Sequence, residues 1–152
     1  MDQIDRKLIA ALQVNGKLTM KELSQELGLS ITPIYERLKR LEKNGTITGY
    51  HAHVNEEKVG LGLEVFCSVT LESHKSEFLR NFENGIKQFD EVLECYHLAG
   101  TFDFLLKVLV KDMNAYADFV NKKLAKLENI GLVQSMMVLK KIKQTRVLPK
   151  IN

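Results

Sequence analysis

Long apolar runs are missing from this chain: no stretch approaches the roughly 20 consecutive apolar residues that a membrane-spanning helix needs. The N-terminal Met1-Asp2-Gln3-Ile4-Asp5 also lacks the basic-then-apolar order of a signal peptide, so the expected location is cytoplasmic. Cysteine is scarce. Cys67 and Cys95 stand in strand-like runs with no His or Cys at metal-ligand spacing, which argues against a zinc site and predicts two reduced core residues. There is no glycine-rich phosphate loop, no nucleophile beside an obvious base, and only four histidines, His51, His53, His74 and His97. An enzyme is therefore not expected, nor a bound cofactor or metal. The His51-x-His53 pair has a metal-like spacing, because alternate strand residues point the same way, but no third ligand lies within reach in sequence. A structural or solvent-facing role is expected for both. A net charge of +3 is too small to mark a nucleic-acid binder by itself; where the charges fall matters more.

What is present is a soluble globular composition, 45% hydrophobic and 27% charged, over 152 residues. That length holds one ordinary domain or two small ones, and the hydrophobic period changes near residues 55–62. The predicted organisation is an N-terminal domain over 1–54, a glycine- and charge-containing linker over 55–62, and a second domain over 63–152.

Ile4, Leu8, Ile9 and Leu12 fall at helical spacing behind Asp2 and Asp5, with Gly16 as the stop, which predicts a helix over 3–13. Thr19-Met20-Lys21-Glu22 has the form of a capping box, and Met20, Leu23 and Leu27 make the buried stripe of a second helix over 20–27. Gly28-Leu29-Ser30 then supplies a glycine able to take positive φ, an apolar anchor, and a serine suited to cap a third helix over 31–43. Thr46 to Val54 changes to a period of two and reads as a short strand or hairpin arm, a candidate wing.

From Leu63 onward the predicted order is strand, helix, strand, strand, helix, strand. Leu63, Val65, Cys67, Val69 and Leu71 alternate in the first strand, and Ser76 caps a helix carrying Phe78, Phe82 and Ile86. Strands follow over 92–98 and 104–110. Asp112 caps a helix with the stripe Met113, Tyr116, Val120, Leu124 and Leu127, and a last strand runs from Leu132 to Ile142. This βαββαβ order is ferredoxin-like. The fold class is thus α+β: an N-terminal winged helix-turn-helix and a C-terminal ferredoxin-like domain.

On the third helix Ile34, Leu38 and Leu41 cluster on one side, with Thr32, Glu36, Lys39, Arg40 and Lys43 opposite, and Tyr35 and Arg37 flanking. A solvated polar face would account for such a helix in isolation. After two other short helices and a glycine-containing turn, the pattern instead fits a reader of double-stranded DNA in the major groove. Near the helix start, Thr32, Tyr35 and Glu36 can reach the base edges, while Arg37, Lys39, Arg40 and Lys43 are placed to hold phosphates; Ser30 and Pro33 complete the expected DNA-binding set. One such domain contacts little DNA, so a homodimer is expected. Both phases of several C-terminal strands are apolar: Leu93, Cys95, Phe104, Leu106 and Val108 on one, and Tyr96, Leu98, Leu105, Leu109, Met136 and Val138 on the other. The second phase predicts an apolar open sheet face, covered by the same sheet of a second copy.

Gly100 and Asp103 suit a ligand with an α-ammonium group, since glycine admits close backbone approach and a carboxylate pairs with the cation. A Gly-x-x-Asp between strands is, however, more often a plain hairpin turn. His97 reads as an ordinary strand residue.

The ordered set Ile4-Asp5-Arg6, Leu8-Ile9, Gly28-Leu29-Ser30, Arg37-Leu38-Lys39-Arg40-Leu41-Glu42, Gly45, Ile47-Thr48-Gly49-Tyr50, Glu94-Cys95-Tyr96, Gly100-Thr101-Phe102-Asp103 and Asp112-Met113-Asn114-Ala115-Tyr116 resembles the Lrp/AsnC (feast/famine) family along essentially the full length. The resemblance implies a transcription regulator, with a winged helix-turn-helix hinged to an amino-acid-binding domain and dimers that often assemble into octamers. It also implies an effector pocket between neighbouring regulatory domains. Its positions here are His97, Leu98, Ala99, Gly100, Thr101 and Asp103, together with Gln134, Met136 and Val138. Side-chain-reading positions in the last strand, including Gly131, Gln134 and Met136, vary among relatives, and the apolar Met136 favours leucine or methionine as effector.

Overall fold

The computed structural model describes residues 1–149; the end of the expected second domain, Lys150 to Asn152, lies outside the described residues. Two compact units are present, Met1–His53 joined by the described residues from Ile142 onward, and Val54–Lys141.

In the first unit, α1 (Gln3–Val14), α2 (Met20–Leu27) and α3 (Ile31–Lys43) bury Leu8, Ile9, Ala11, Leu23, Ile34, Leu38 and Leu41 against one another. Their boundaries are set by local chemistry. Asp2 caps α1, its Oδ1 accepting from the Ile4 and Asp5 N–H groups at 2.9 Å, and the Asp5 carboxylate returns the favour to the Asp2 N–H. Thr19 and Glu22 close the same reciprocal box on α2. Gly28 ends α2 in the left-handed conformation at φ 66°, which a side chain would strain, and so lets α3 turn off sharply. Pro33 sits in the first turn of α3, where an N–H would have no helical partner.

Ser30 occupies the N-cap position of α3, but its side chain makes no capping bond. The expected strand over Thr46–Val54 is not formed either. The Ile47 N–H turns back to the Leu41 carbonyl and the Thr46 N–H to the Asn44 side chain, so this segment closes the end of α3. Among the described residues the first unit has no strand to pair with it, and an unpaired strand is not stable.

The second unit is a four-stranded antiparallel sheet in the order β2-β3-β1-β4, built from β1 (Leu63–Leu71), β2 (Val92–His97), β3 (Phe104–Val110) and β4 (Ile130–Met137). Helices α4 (Ser76–Ile86) and α5 (Met113–Lys122) supply Phe82, Ile86, Tyr116 and Phe119 to a core completed by Val65, Cys67, Val69, Phe104, Leu106 and Val108 from the sheet. The expected βαββαβ order is present.

Several details differ from expectation. Lys75, not Ser76, is the N-cap of α4. Helix α5 stops at Lys122 and a 3-10 turn over Leu124–Lys126 follows, so Phe119 rather than the exposed Met113 completes the buried stripe. Strand β4 ends at Met137 instead of Ile142 because β1, its partner, runs out: Val138 N–H to the Glu64 carbonyl is the last rung. An irregularity between Val92 and Glu94 takes Leu93 out of the ladder and leaves it exposed. Cys95 pairs with Leu106 on the outer strand β2 and is exposed, not a core residue, while Cys67 is buried; both are free thiols.

The open sheet face is not the continuous apolar surface expected. Phe66, Leu105, Met136 and Tyr96 are interleaved there with Glu64, Lys107, Glu94, Ser68 and Gln134, as the register places them. Of the remaining residues expected on it, Leu109 is buried and Leu98 lies beyond the end of β2.

Candidate functional site

The buried stripe of α3 and its polar side come out as the spacing predicts. Ile34, Leu38 and Leu41 are buried, whereas Ser30, Thr32, Tyr35, Glu36, Lys39, Arg40 and Lys43 are exposed and Pro33 is half-buried. The exposed set mixes hydroxyls, a phenol, a carboxylate and cations on one rod, the functional-group mixture that reads base edges and holds a phosphate backbone. Arg40 and Lys43 fall in the last turn, where they also favour the helix dipole.

Both arginines expected to hold phosphates are ion-paired within the unit. Arg37 Nη1 donates to Asp2 Oδ2 at 2.5 Å and to Asp5 Oδ1 at 2.8 Å, and its side chain is only 23% exposed. Arg37 is a tie between α3 and α1. Arg40, 57% exposed, donates through Nη2 to both Asp5 oxygens at 2.8 Å. Asp5 itself is 1% exposed. Burial works against its charge, but the Asp2 N–H, Arg37 and Arg40 overcome this and hold its pKa below the usual carboxylate value. Asp2 is held low as well, through the Asp5 backbone and Arg37, while these two carboxylates keep the Arg37 guanidinium above its own usual value. Sequence reasoning saw Asp2 and Asp5 only as helix-start residues. Two acids at the start of one helix and two arginines three apart on another were the available signal, but pairing them requires knowing how the helices cross.

Tyr50 closes the far end of α3 by donating to Glu42 at 2.9 Å, and burial followed by that carboxylate pushes its hydroxyl up to about 12. His51 and His53 are exposed, and among the described residues no group of His, Cys, Asp or Glu is placed to hold a metal.

In the second unit the predicted ligand residues separate into two sets. His97 ends β2 and stacks on Phe104 with ring centroids 4.7 Å apart. Leu98, Ala99, Gly100 and Thr101 form an exposed turn, and the space where a Cβ would sit on Gly100 is open. Asp103 closes the turn. Its carbonyl accepts from Leu98 N–H at 2.8 Å, its N–H donates to the Val69 carbonyl at 3.0 Å, Oδ2 accepts from Leu71 N–H at 2.7 Å, and Oδ1 meets His74 Nε2 at 2.8 Å. Burial opposes the Asp103 charge, yet the Leu71 N–H and His74 prevail and hold its pKa below normal. Part of this carboxylate is therefore structural, pinning the turn to β1.

Across β1, Gln134 faces Ser68, close to the same end of the sheet as the turn, whereas Met136 faces Phe66 and Val138 reaches Glu64. At about 3.3 Å per residue, the five steps from Val69 to Glu64 put Val138 roughly 16 Å along the strand from the turn. One chain thus brings Gln134 toward Asp103 but not Met136 or Val138. A Cβ on Gly131 would lie 2.9 Å from Thr70 Oγ1, so its absence lets β4 approach β1.

Comparison with known proteins adds a second line of observation. Residues 1–48 match the pattern of a winged helix-turn-helix DNA-binding domain, and residues 64–148 match that of the Lrp/AsnC ligand binding domain. The chain is 36% identical over 142 residues to the Bkd operon transcriptional regulator of Pseudomonas aeruginosa, covering 93% of each. It is 38% identical over 148 residues to the leucine-responsive regulatory protein of Haemophilus influenzae, covering 97% of this chain and 89% of that one. Among solved structures, a Neisseria meningitidis transcriptional regulator in complex with L-Met superposes with a TM-score of 0.94 at 38% identity, covering 98% of this chain and 96% of that one.

Proposed function

Because the chain belongs to the Lrp/AsnC family of transcriptional regulators, with a DNA-binding helix-turn-helix and an amino acid ligand-binding domain rather than an active site, we infer how this particular chain divides the two tasks. Helix α3 enters the major groove of double-stranded DNA. Thr32, Tyr35 and Glu36, with Ser30 and Pro33 beside them, meet base edges, while Lys39 and Lys43 hold phosphates. The observation that carries this reading is the clean division of α3 into a buried stripe and an exposed polar side.

The effector is a small apolar amino acid, leucine or methionine. The turn from His97 to Asp103 receives its charged end. His74 is exposed and can leave Asp103 Oδ1, which then pairs with the α-ammonium group while Oδ2 stays on the Leu71 N–H. Gln134 stands nearest that end. Met136 and Val138 lie too far along the sheet to join the same small molecule within one chain, and they meet the effector across the junction with another copy. Sheet-to-sheet dimers, assembling toward octamers, supply that junction. No described helix is long and apolar enough to cross a membrane, and the regulator works where its DNA is, in the cytoplasm.

Two measurements test this reading. Binding to duplex DNA should weaken linearly with the logarithm of salt, and Lys39→Ala should lower affinity on all sequences while reducing the slope by about 1. Absent or salt-independent binding refutes the assignment of α3. In a panel of the twenty amino acids, leucine or methionine should raise the melting temperature, and Asp103→Ala should remove that shift. A panel without a hit, on protein whose oligomer is intact, refutes the effector assignment.

A further inference from the structure

Asp5 does more than begin a helix. Its carboxylate accepts four hydrogen bonds: Oδ2 from the Asp2 N–H at 3.0 Å and from Arg40 at 2.8 Å, and Oδ1 from Arg37 and from Arg40, both at 2.8 Å. Capping α1 uses one of the four; the other three come from cations of α3. A neutral side chain could cap without desolvating a charge, so the buried carboxylate is explained by the arginines and not by the cap.

The charge count on α3 follows from this. The helix carries Arg37, Lys39, Arg40 and Lys43. With Asp2 and Asp5 set against Arg37 and Arg40, the four-residue cluster is electrically neutral, and Lys39 and Lys43 have no ion pair among the described residues. Sequence-independent affinity for DNA scales with the number of phosphates a protein neutralises, and each contributes about 0.9 to the salt slope. Base-edge contacts do not scale that way.

We propose that Asp5, with Asp2 as its auxiliary, is a specificity-determining residue for DNA: it withdraws the Arg37 and Arg40 charges from the phosphate backbone, so that α3 grips random DNA weakly and relies on base contacts. This rests on the reading of α3 as a DNA-binding helix. Asp5 touches no base; it acts through the arginines, as a positioning residue.

The test compares the full chain with its Asp5→Asn variant on two duplexes, one of random sequence and one selected from a random library by the wild-type protein, over a series of KCl concentrations. Freeing the guanidiniums should tighten binding to the random duplex several-fold at low salt and steepen its slope by about 1 to 2. The preference for the selected duplex should fall, and Asp5→Glu, which restores a carboxylate, should recover part of it. A merely structural role would move these readouts the other way, weakening both duplexes and flattening the slope. An unchanged or flatter slope, with circular dichroism showing the helices intact, overturns the proposal. Asp2→Asn is run in parallel, since its exposed side chain can be changed without emptying a buried site. It should steepen the slope by up to about 1, and if Asp5→Asn does not fold, a slope unchanged by Asp2→Asn overturns the proposal. If the wild-type chain binds neither duplex, the DNA reading itself falls and takes this inference with it; a wild-type protein that binds with a variant that does not steepen leaves that reading standing.

Discussion

Each unit of the molecule buries one carboxylate between two cations, and the two units do it differently. In the helical unit Asp5, 1% exposed, meets two arginines at 2.8 Å, each through a single terminal nitrogen. In the sheet unit Glu64, 7% exposed, meets Lys107 at 3.4 Å and Lys141 at 3.0 Å. Lys107 also lies 3.7 Å from Glu94, and Lys141 pairs with Glu56. A guanidinium offers several donors in a fixed plane and sets the geometry of its partner; an ammonium is a point charge that tolerates several carboxylates at looser distances. The first arrangement locks one helix against another at a fixed angle. The second leaves a charged thread across an otherwise partly apolar sheet face.

The comparison can be tested from the strongest effect downward. Phe104→Ala removes a ring buried against Phe82, with centroids 4.4 Å apart, and stacked on His97. It should destabilise the sheet unit by about 3–5 kcal/mol, and hydrogen exchange should show the helical unit unaffected. If both units lose protection together, they do not fold independently and the comparison between them fails.

Asp5→Ala strands Arg40 and leaves Arg37 only Asp2, but both arginines reach water. The expected loss is therefore about 2–3 kcal/mol in the helical unit, less than for a fully buried pair. Denaturant titration followed by helix signal checks it. Glu64→Gln should be milder, about 1 kcal/mol, because Lys107 keeps Glu94 and Lys141 keeps Glu56. A Glu64→Gln loss equal to that of Asp5→Ala would erase the distinction between guanidinium and ammonium partners.

The smallest effect is that of acid. Asp2, Asp5 and Glu22 in the helical unit all have pKa values below their ordinary ones, Glu22 through the Thr19 N–H and hydroxyl. A carboxylate lowered by folding stabilises the folded state above its unfolded pKa and loses that contribution as pH falls through its folded pKa. Protection of the helical unit should therefore be flat from neutral pH to about 5 and decline below roughly pH 4. A helical unit as protected at pH 3 as at pH 7 would mean that the Asp5 cluster does not stabilise it.

What was legible from the residues was local. The three helices of the first unit, the Thr19–Glu22 box, the Gly28 turn and the division of α3 into two sides each depend on contacts within a few positions, which spacing records directly. The strands of the second unit were legible for the same reason, since alternation marks a buried face. The strand expected at Thr46–Val54 failed because alternation marks a candidate strand, not the neighbour it needs. The apolar open face failed because Glu64, Lys107 and Glu94 are adjacent only once the register of β1, β2 and β3 is set. Of the residues expected to face DNA, exposure was foreseeable for Thr32, Tyr35, Glu36, Lys39 and Lys43. The engagement of Arg37 was not, because its partners lie 32 and 35 positions away.

The amino-acid sequence by itself determined where each element begins, which side of it is buried, and which chemical groups are left outside. Tertiary structure alone decided which charges cancel and which of the expected ligand residues share a place: Asp5 with Arg37 and Arg40, Glu64 with two lysines, Gln134 toward Asp103 but Met136 and Val138 away from it. The reason is physical. Burial pattern is a periodic property of one segment, whereas the energy of a charge depends on what lies within a few ångströms of it, and that neighbourhood exists only when segments distant in the chain have met.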